Sequence, residues 1–193
     1  MQSTSSGNVL SVRRIAMTGI LAAIAIFLGA TRLGFIPVPN LSGNATIMHV
    51  PAIIGGVLEG PIVGLLVGGI FGLYSFLQAT SPLFKDPLVA ILPRLFIGVF
   101  AFYAYVAFRK QSEIIALGIA GAIGTLTNTV LVVGMILWRH LNFLNTELNV
   151  GGQAFIISLI PQAIAEIVIA IVITIAVVAA WKRVESGGGK SSI

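Results

Sequence analysis

Long stretches of this chain carry no charge, and that limits what it can fold into more than any other feature. Seventeen uncharged residues, Ile15 to Thr31, separate Arg14 from Arg32. Leu33 to Leu58, Gly60 to Phe84 and Ile114 to Trp138 are also charge-free, and Ile167 to Trp181 closes the last such block. Leu88 to Phe108 carries a single charge, Arg94, next to Pro93. Of 193 residues, 57% are hydrophobic and 9% charged, with a mean hydropathy of +1.05. A soluble domain is about a quarter charged, and the 11 basic and 6 acidic residues here cannot make a water-facing shell. A soluble enzyme and a disordered chain are excluded. An integral membrane protein remains.

One helical span takes about 20 apolar residues, so the length fits a single domain, 1–193, with six spans. The block from Leu33 cannot be one helix, because Gly34-Phe35-Ile36-Pro37-Val38-Pro39-Asn40-Leu41-Ser42-Gly43-Asn44 reads as a loop. The expected class is an all-α membrane protein with helices near 14–31, 47–58, 61–79, 87–108, 113–138 and 153–182. Residues 1–12 and 184–193 are expected to be flexible cytoplasmic ends. The second helix is short for a span, about 18 Å by helical rise. Pro61 in Glu59-Gly60-Pro61 is placed to start the third.

Orientation follows from Lys and Arg. With six spans, Arg13, Arg14, Arg109, Lys110, Lys182, Arg183 and Lys190 share one side, against Arg32, Lys85 and Arg139 on the other. Both termini are therefore expected in the cytoplasm. The net charge of +5 reads as membrane anchoring toward lipid and not as a nucleic-acid surface. Ser11-Val12-Arg13-Arg14 before an apolar run resembles an export signal, but no persuasive cleavage site follows. The tail Gly187-Gly188-Gly189-Lys190-Ser191 lacks the phosphate-loop spacing, since Val184 stands where glycine is required.

Polar residues inside spans are costly and point to function. Arg94 is expected about 10 Å, and Asn128 about 15 Å, below the outer end of their helices. Ser158, Gln162 and Glu166 recur every four residues on the last helix, one polar stripe. Tyr74 and Gln78 share a face near the outer end of the third helix, His49 begins the second, and Asn44 ends the loop above them. These positions converge on an outward-opening ligand pocket. Its candidate residues are Arg94, Asn128, Gln162, Tyr74, Gln78, His49 and Asn44. Arg94 reads either as a cation for an anionic ligand, through paired guanidinium hydrogen bonds, or as a structural ion pair with Glu166. No catalytic motif, metal-ligand spacing or cofactor signature is present, so no catalytic residue, metal or cofactor is expected.

Gly60, Gly64, Gly68 and Gly72 stand at four-residue intervals on the third helix. Such a strip lets another backbone approach closely, either within the bundle or from a partner protein. On the first helix, Thr18 with Ala22 and Gly19 with Ala23 repeat the small-residue spacing. They offer either ordinary packing or a docking surface for another membrane protein.

The segment Ala45-Thr46-Ile47-Met48-His49-Val50-Pro51-Ala52-Ile53-Ile54-Gly55-Gly56-Val57-Leu58-Glu59-Gly60-Pro61 resembles the substrate-binding S components of energy-coupling factor (ECF) transporters. So do the glycine strip, Pro93-Arg94, and Gly124-Thr125-Leu126-Thr127-Asn128-Thr129-Val130-Leu131. The likeness covers essentially the whole chain and, through Gly34-Phe35-Ile36-Pro37 and His49-Val50-Pro51, is greatest to pantothenate-type members. It implies a six-helix S-component bundle in a bacterial or archaeal cell membrane that binds a small-molecule vitamin from outside. It also implies a transmembrane coupling protein (T component) and two ABC ATPases as partners, with ATP hydrolysis on those partners. Family members dock through an Ala-xxx-Ala pattern on helix 1, to which Thr18/Ala22 and Gly19/Ala23 are the nearest match. Riboflavin, hydroxymethylpyrimidine, pyridoxine and folate use the same scaffold. A stand-alone carrier or channel, or a membrane-integral enzyme, are the other readings.

Overall fold

Prolines and glycines set the boundaries of the helices. The computed structural model describes residues 11–37, 45–147 and 149–188. Helix α1 (Val12–Ala30) leads into a two-stranded antiparallel hairpin, β1 (Phe35–Ile36) and β2 (Ala45–Thr46), with Phe35 opposite Thr46. Then follow α2 (Val50–Glu59), α3 (Pro61–Leu77), a 3-10 turn (Pro82–Lys85), α4 (Pro87–Ala90), α5 (Leu92–Phe108), α6 (Glu113–Thr146) and α7 (Gly152–Gly188). The turn between α2 and α3 depends on Gly60, whose φ of +99° and ψ of 176° suit the residue before a proline and need the freedom of glycine.

The expected six-helix layout is present, with three differences. First, the fourth helix is broken at Ile91 into α4 and α5, because Pro93 has no N–H to continue the ladder. Second, the fifth helix is interrupted at His140 (φ −122°, ψ 18°), two residues past the expected end at Trp138, and a further helical segment continues to Thr146. Arg139 Nε donates to Asp86 Oδ2 at 2.5 Å, and His140 Nε2 lies 3.3 Å from the same oxygen. Two polar residues that read as loop thus lie at the bend, held by an acid across the bundle. Third, Val12 and residues 184–188, expected within flexible ends, are helical. Arg13 bridges Glu59 at 2.6 Å and Glu185 at 2.7 Å, fastening both ends to the turn after α2.

Helix α2 is the hub. It packs against α1, α3, α5, α6 and α7 and is buried on nearly every face, from Val50 through Val57. A helix apolar all round belongs inside. The glycine strip of α3 packs within the bundle. A Cβ at Gly64 would run into the Cα atoms of Gly98 and Gly56, and one at Gly68 into the Arg94 carbonyl oxygen. The outward faces remain apolar: Ile24, Phe100, Val130, Ile164 and Val172 are all exposed, as expected of surfaces that meet lipid.

Among the described residues, four stretches are long and apolar enough to cross a membrane: α1, α4 with α5, α6 and α7. Helices α2 and α3 are shorter, at 10 and 17 residues. The bundle has two chemically distinct ends. One gathers Arg13, Glu59 and Glu185 together with Lys182, Glu113 and Tyr105, where Lys182 Nζ reaches both Glu113 and, at 2.6 Å, the Tyr105 hydroxyl. The other carries the β1–β2 hairpin, the 3-10 turn and the Asp86–Arg139 bridge.

Candidate functional site

The site begins with the break at Ile91. In an unbroken helix the N–H at position 93 would bond the Val89 carbonyl; Pro93 has none. Arg94 Nη1 donates to that carbonyl at 2.5 Å, so the neighbouring side chain satisfies the acceptor that the proline frees. Gly68 lets the Arg94 backbone lie directly against α3. The guanidinium then sits over the rings of Phe84 (5.2 Å) and Phe71 (5.7 Å), which stabilise a buried cation electrostatically. Arg94 is only 5% exposed, and its Nε has no hydrogen-bond partner.

Arg94 lines a cavity of about 310 Å³ at the hairpin end of the bundle. Of the residues picked out in the sequence, Arg94, Asn128, Gln162, Tyr74 and Gln78 all line it. Asn128 is buried, with its Oδ1 unpartnered. Asn44 lies outside the described residues. His49 does not line the cavity: it is fully buried beneath it, 2.9 Å from Thr125 Oγ1, which itself donates to the Gly121 carbonyl. Its place at the start of α2 gives it an interior structural partner, Thr125.

Glu166 lines the same cavity from α7. Its Oε1 accepts from Gln162 Nε2 at 2.9 Å and from the Thr46 backbone N–H at 2.8 Å, tying strand β2 to the last helix. The ion pairs within 4 Å among the described residues do not include Arg94 with Glu166. The cation and the acid face one cavity without closing on each other. Phe35, Thr46, Phe71, Phe84, Thr129 and Phe155 complete much of the wall. Sequence reasoning passed over them, because aromatic and hydroxyl residues do not stand out in apolar helices.

The small-residue positions of α1 divide between two faces. Ala22 is buried in the bundle. Thr18 is half-buried and donates to the Arg14 carbonyl at 2.7 Å. Gly19 and Ala23 are exposed, and a Cβ at Gly19 would meet nothing within 4 Å. The outward small-residue face is therefore Gly19 and Ala23, not all four positions.

Residues 13–178 match the family model described as ECF transporter, substrate-specific component. The chain belongs to that family. As an ECF substrate-specific component it is a substrate-binding subunit of a transporter, as its motifs implied. Similar relatives include the pantothenic acid transporter PanT of Lactococcus lactis, 27% identical over 88% of this chain and 93% of its own length. The pantothenate transporter PanT of Leuconostoc mesenteroides is 26% identical over 72% of each. ThiT from Listeria monocytogenes shares the fold, with a TM-score of 0.62 at 15% identity, over 91% of this ECF component and 96% of that chain.

Proposed function

We propose that this ECF component captures pantothenate from outside the cell for ATP-driven uptake. The observation that carries the reading is Arg94: a buried cation with no ion pair within 4 Å among the described residues, lining a cavity whose wall also includes Asn128. Pantothenate is a carboxylate with hydroxyl and amide groups, so the carboxylate suits Arg94. Asn128, Gln162, Tyr74 and Gln78 supply donors and acceptors for the rest. The volume of about 310 Å³ is at the small end of the ligand-pocket range, which suits a compact vitamin. The names of the Lactococcus and Leuconostoc relatives point to the same ligand.

In this reading all six helices cross a bacterial or archaeal cell membrane. Both termini are cytoplasmic and the hairpin end faces outward. The exposed Gly19–Ala23 face of α1 docks on a transmembrane coupling protein, whose two ABC ATPases hydrolyse the ATP. The experiment is to purify the chain from cells and identify retained small molecules by mass spectrometry, then measure uptake in liposomes with and without the partners. Co-purified pantothenate and uptake only with the ATPases are expected. A different retained ligand overturns the vitamin assignment, and sustained uptake by the chain alone overturns the transporter class.

A further inference from the structure

The proposed ligand is an anion, yet its cavity holds a carboxylate. Glu166 is 2% exposed and is the sole acidic residue among the described lining residues, as Arg94 is the sole basic one. Of its neighbours from the other elements, Arg94 of α5 alone carries a charge among the described lining residues, and it faces Glu166 across the cavity without an ion pair within 4 Å. Helix α3 brings Tyr74, α6 brings Asn128 and Thr129, and β2 brings the Thr46 backbone N–H. His49 of α2 lies beneath the cavity and is engaged with Thr125.

Holding the hairpin does not require this charge. Oε1 only accepts hydrogen bonds, from Thr46 and Gln162, and a glutamine carbonyl oxygen would accept both equally. A negative charge inside a membrane span is costly, and Arg94 across the cavity offsets part of that cost. The remaining effect of Glu166 is on whatever enters the cavity. With one cation and one carboxylate among the described lining residues, the empty site is neutral when both are ionised. A ligand with one carboxylate leaves it at −1, and the same ligand with a phosphate monoester added, about −2.5 to −3 in all at neutral pH, leaves it at about that value, in a region water screens poorly.

We propose that Glu166 sets the charge limit of the cavity. The site admits a ligand with a single carboxylate, held at Arg94, and an uncharged hydroxyl- or amide-bearing end toward Glu166; it rejects the same molecule once a second anionic group is attached. This inference rests on the reading of Arg94 as the anchor of a carboxylate vitamin. Physiologically, the filter distinguishes a free vitamin from its phosphorylated forms.

The test measures affinity of the purified full chain, at neutral pH, for pantothenate and for pantothenate phosphorylated on its primary hydroxyl. The wild type is expected to bind the first and to reject the second by at least about a hundredfold. Glu166→Gln keeps the hydrogen-bond acceptor and removes the charge. It is expected to bind pantothenate more tightly and to narrow the gap by about tenfold or more, the scale of one like-charge repulsion at an effective dielectric near 20. An unchanged gap in Glu166→Gln means exclusion by size and overturns the inference alone. Failure of the wild type to bind pantothenate overturns the functional reading, and this inference with it. Should Glu166→Gln not fold, the wild type decides with the dimethyl ester of the phosphorylated ligand, which has the bulk without the second charge. Binding within about tenfold of pantothenate supports the charge limit, and rejection equal to that of the phosphate overturns it.

Discussion

Arg94 donates through Nη1 to the carbonyl oxygen of Val89 at 2.5 Å, one residue beyond the proline that leaves that carbonyl without its helical partner. The pair explains how a guanidinium is held still inside an apolar bundle. Proline breaks the ladder, the break frees an acceptor, and the acceptor fixes the first atoms of the cation. Phe71 and Phe84 hold its faces. Held in this way, Arg94 lines the cavity.

Close approach of α3 and α5 makes this position possible. Gly68→Ala puts a Cβ onto the Arg94 carbonyl oxygen, and the backbone rather than a flexible side chain must yield. We expect a loss of about 1–3 kcal/mol in stability and weaker ligand binding, since Arg94 moves with its backbone. Gly19→Ala, inside α1 where nothing lies within 4 Å, is the control and should not destabilise, gaining up to about 1 kcal/mol from helix propensity. Thermal unfolding in detergent compares the two.

The outward face of α1 separates binding from assembly. Replacing Gly19 and Ala23 with Leu fills an exposed small-residue surface without touching the cavity lining. Ligand affinity of the purified chain should stay within about twofold, while co-purification of the coupling protein and ATPases is lost. Retained co-purification would remove this face from the interface. Ala22→Leu should instead destabilise the bundle, because that side chain points inward.

The Asp86 bridge at the hairpin end gives a pH dependence with a defined sign. Burial works against ionisation of Asp86, but the hydrogen bonds from Arg139 and from the Leu88 N–H outweigh it and hold the carboxyl below its ordinary range. A depressed folded value contributes stability that is present above the ordinary carboxylate range of about 4. That stability is lost as pH falls through the folded value. Wild-type melting temperature should therefore drop more between pH 6 and pH 3 than that of Asp86→Asn, which has no charge to lose. Parallel curves would show that the bridge adds nothing.

Much of this was legible in the sequence because polar groups are conspicuous in apolar helices. Arg94, Asn128 and the stripe that includes Gln162 and Glu166 pointed to one end of the bundle, and they share one cavity. The glycine interval announced close packing but not its partner, since Gly98 and the Arg94 backbone lie elsewhere in the chain. Three things were hidden, each for a physical reason. The bond from Thr46 to Glu166 uses a backbone N–H and leaves no side-chain signal. Arg139 and His140 look like loop residues, because their shared acid, Asp86, is more than fifty positions away. His49 has the chemistry of a site residue, but its interior bond to Thr125 takes it out of the cavity.

Calorimetry on purified wild type and Arg94→Ala tests whether Arg94 binds the carboxylate of the ligand. Titrating pantothenate and its neutral alcohol separates the charge from the rest of the molecule. The wild type should prefer the acid by about a hundredfold, in line with a buried charge-assisted pair, and Arg94→Ala should lose that preference while still unfolding cooperatively. Equal affinity of the wild type for acid and alcohol, or an unchanged affinity for the acid in folded Arg94→Ala, would contradict the account.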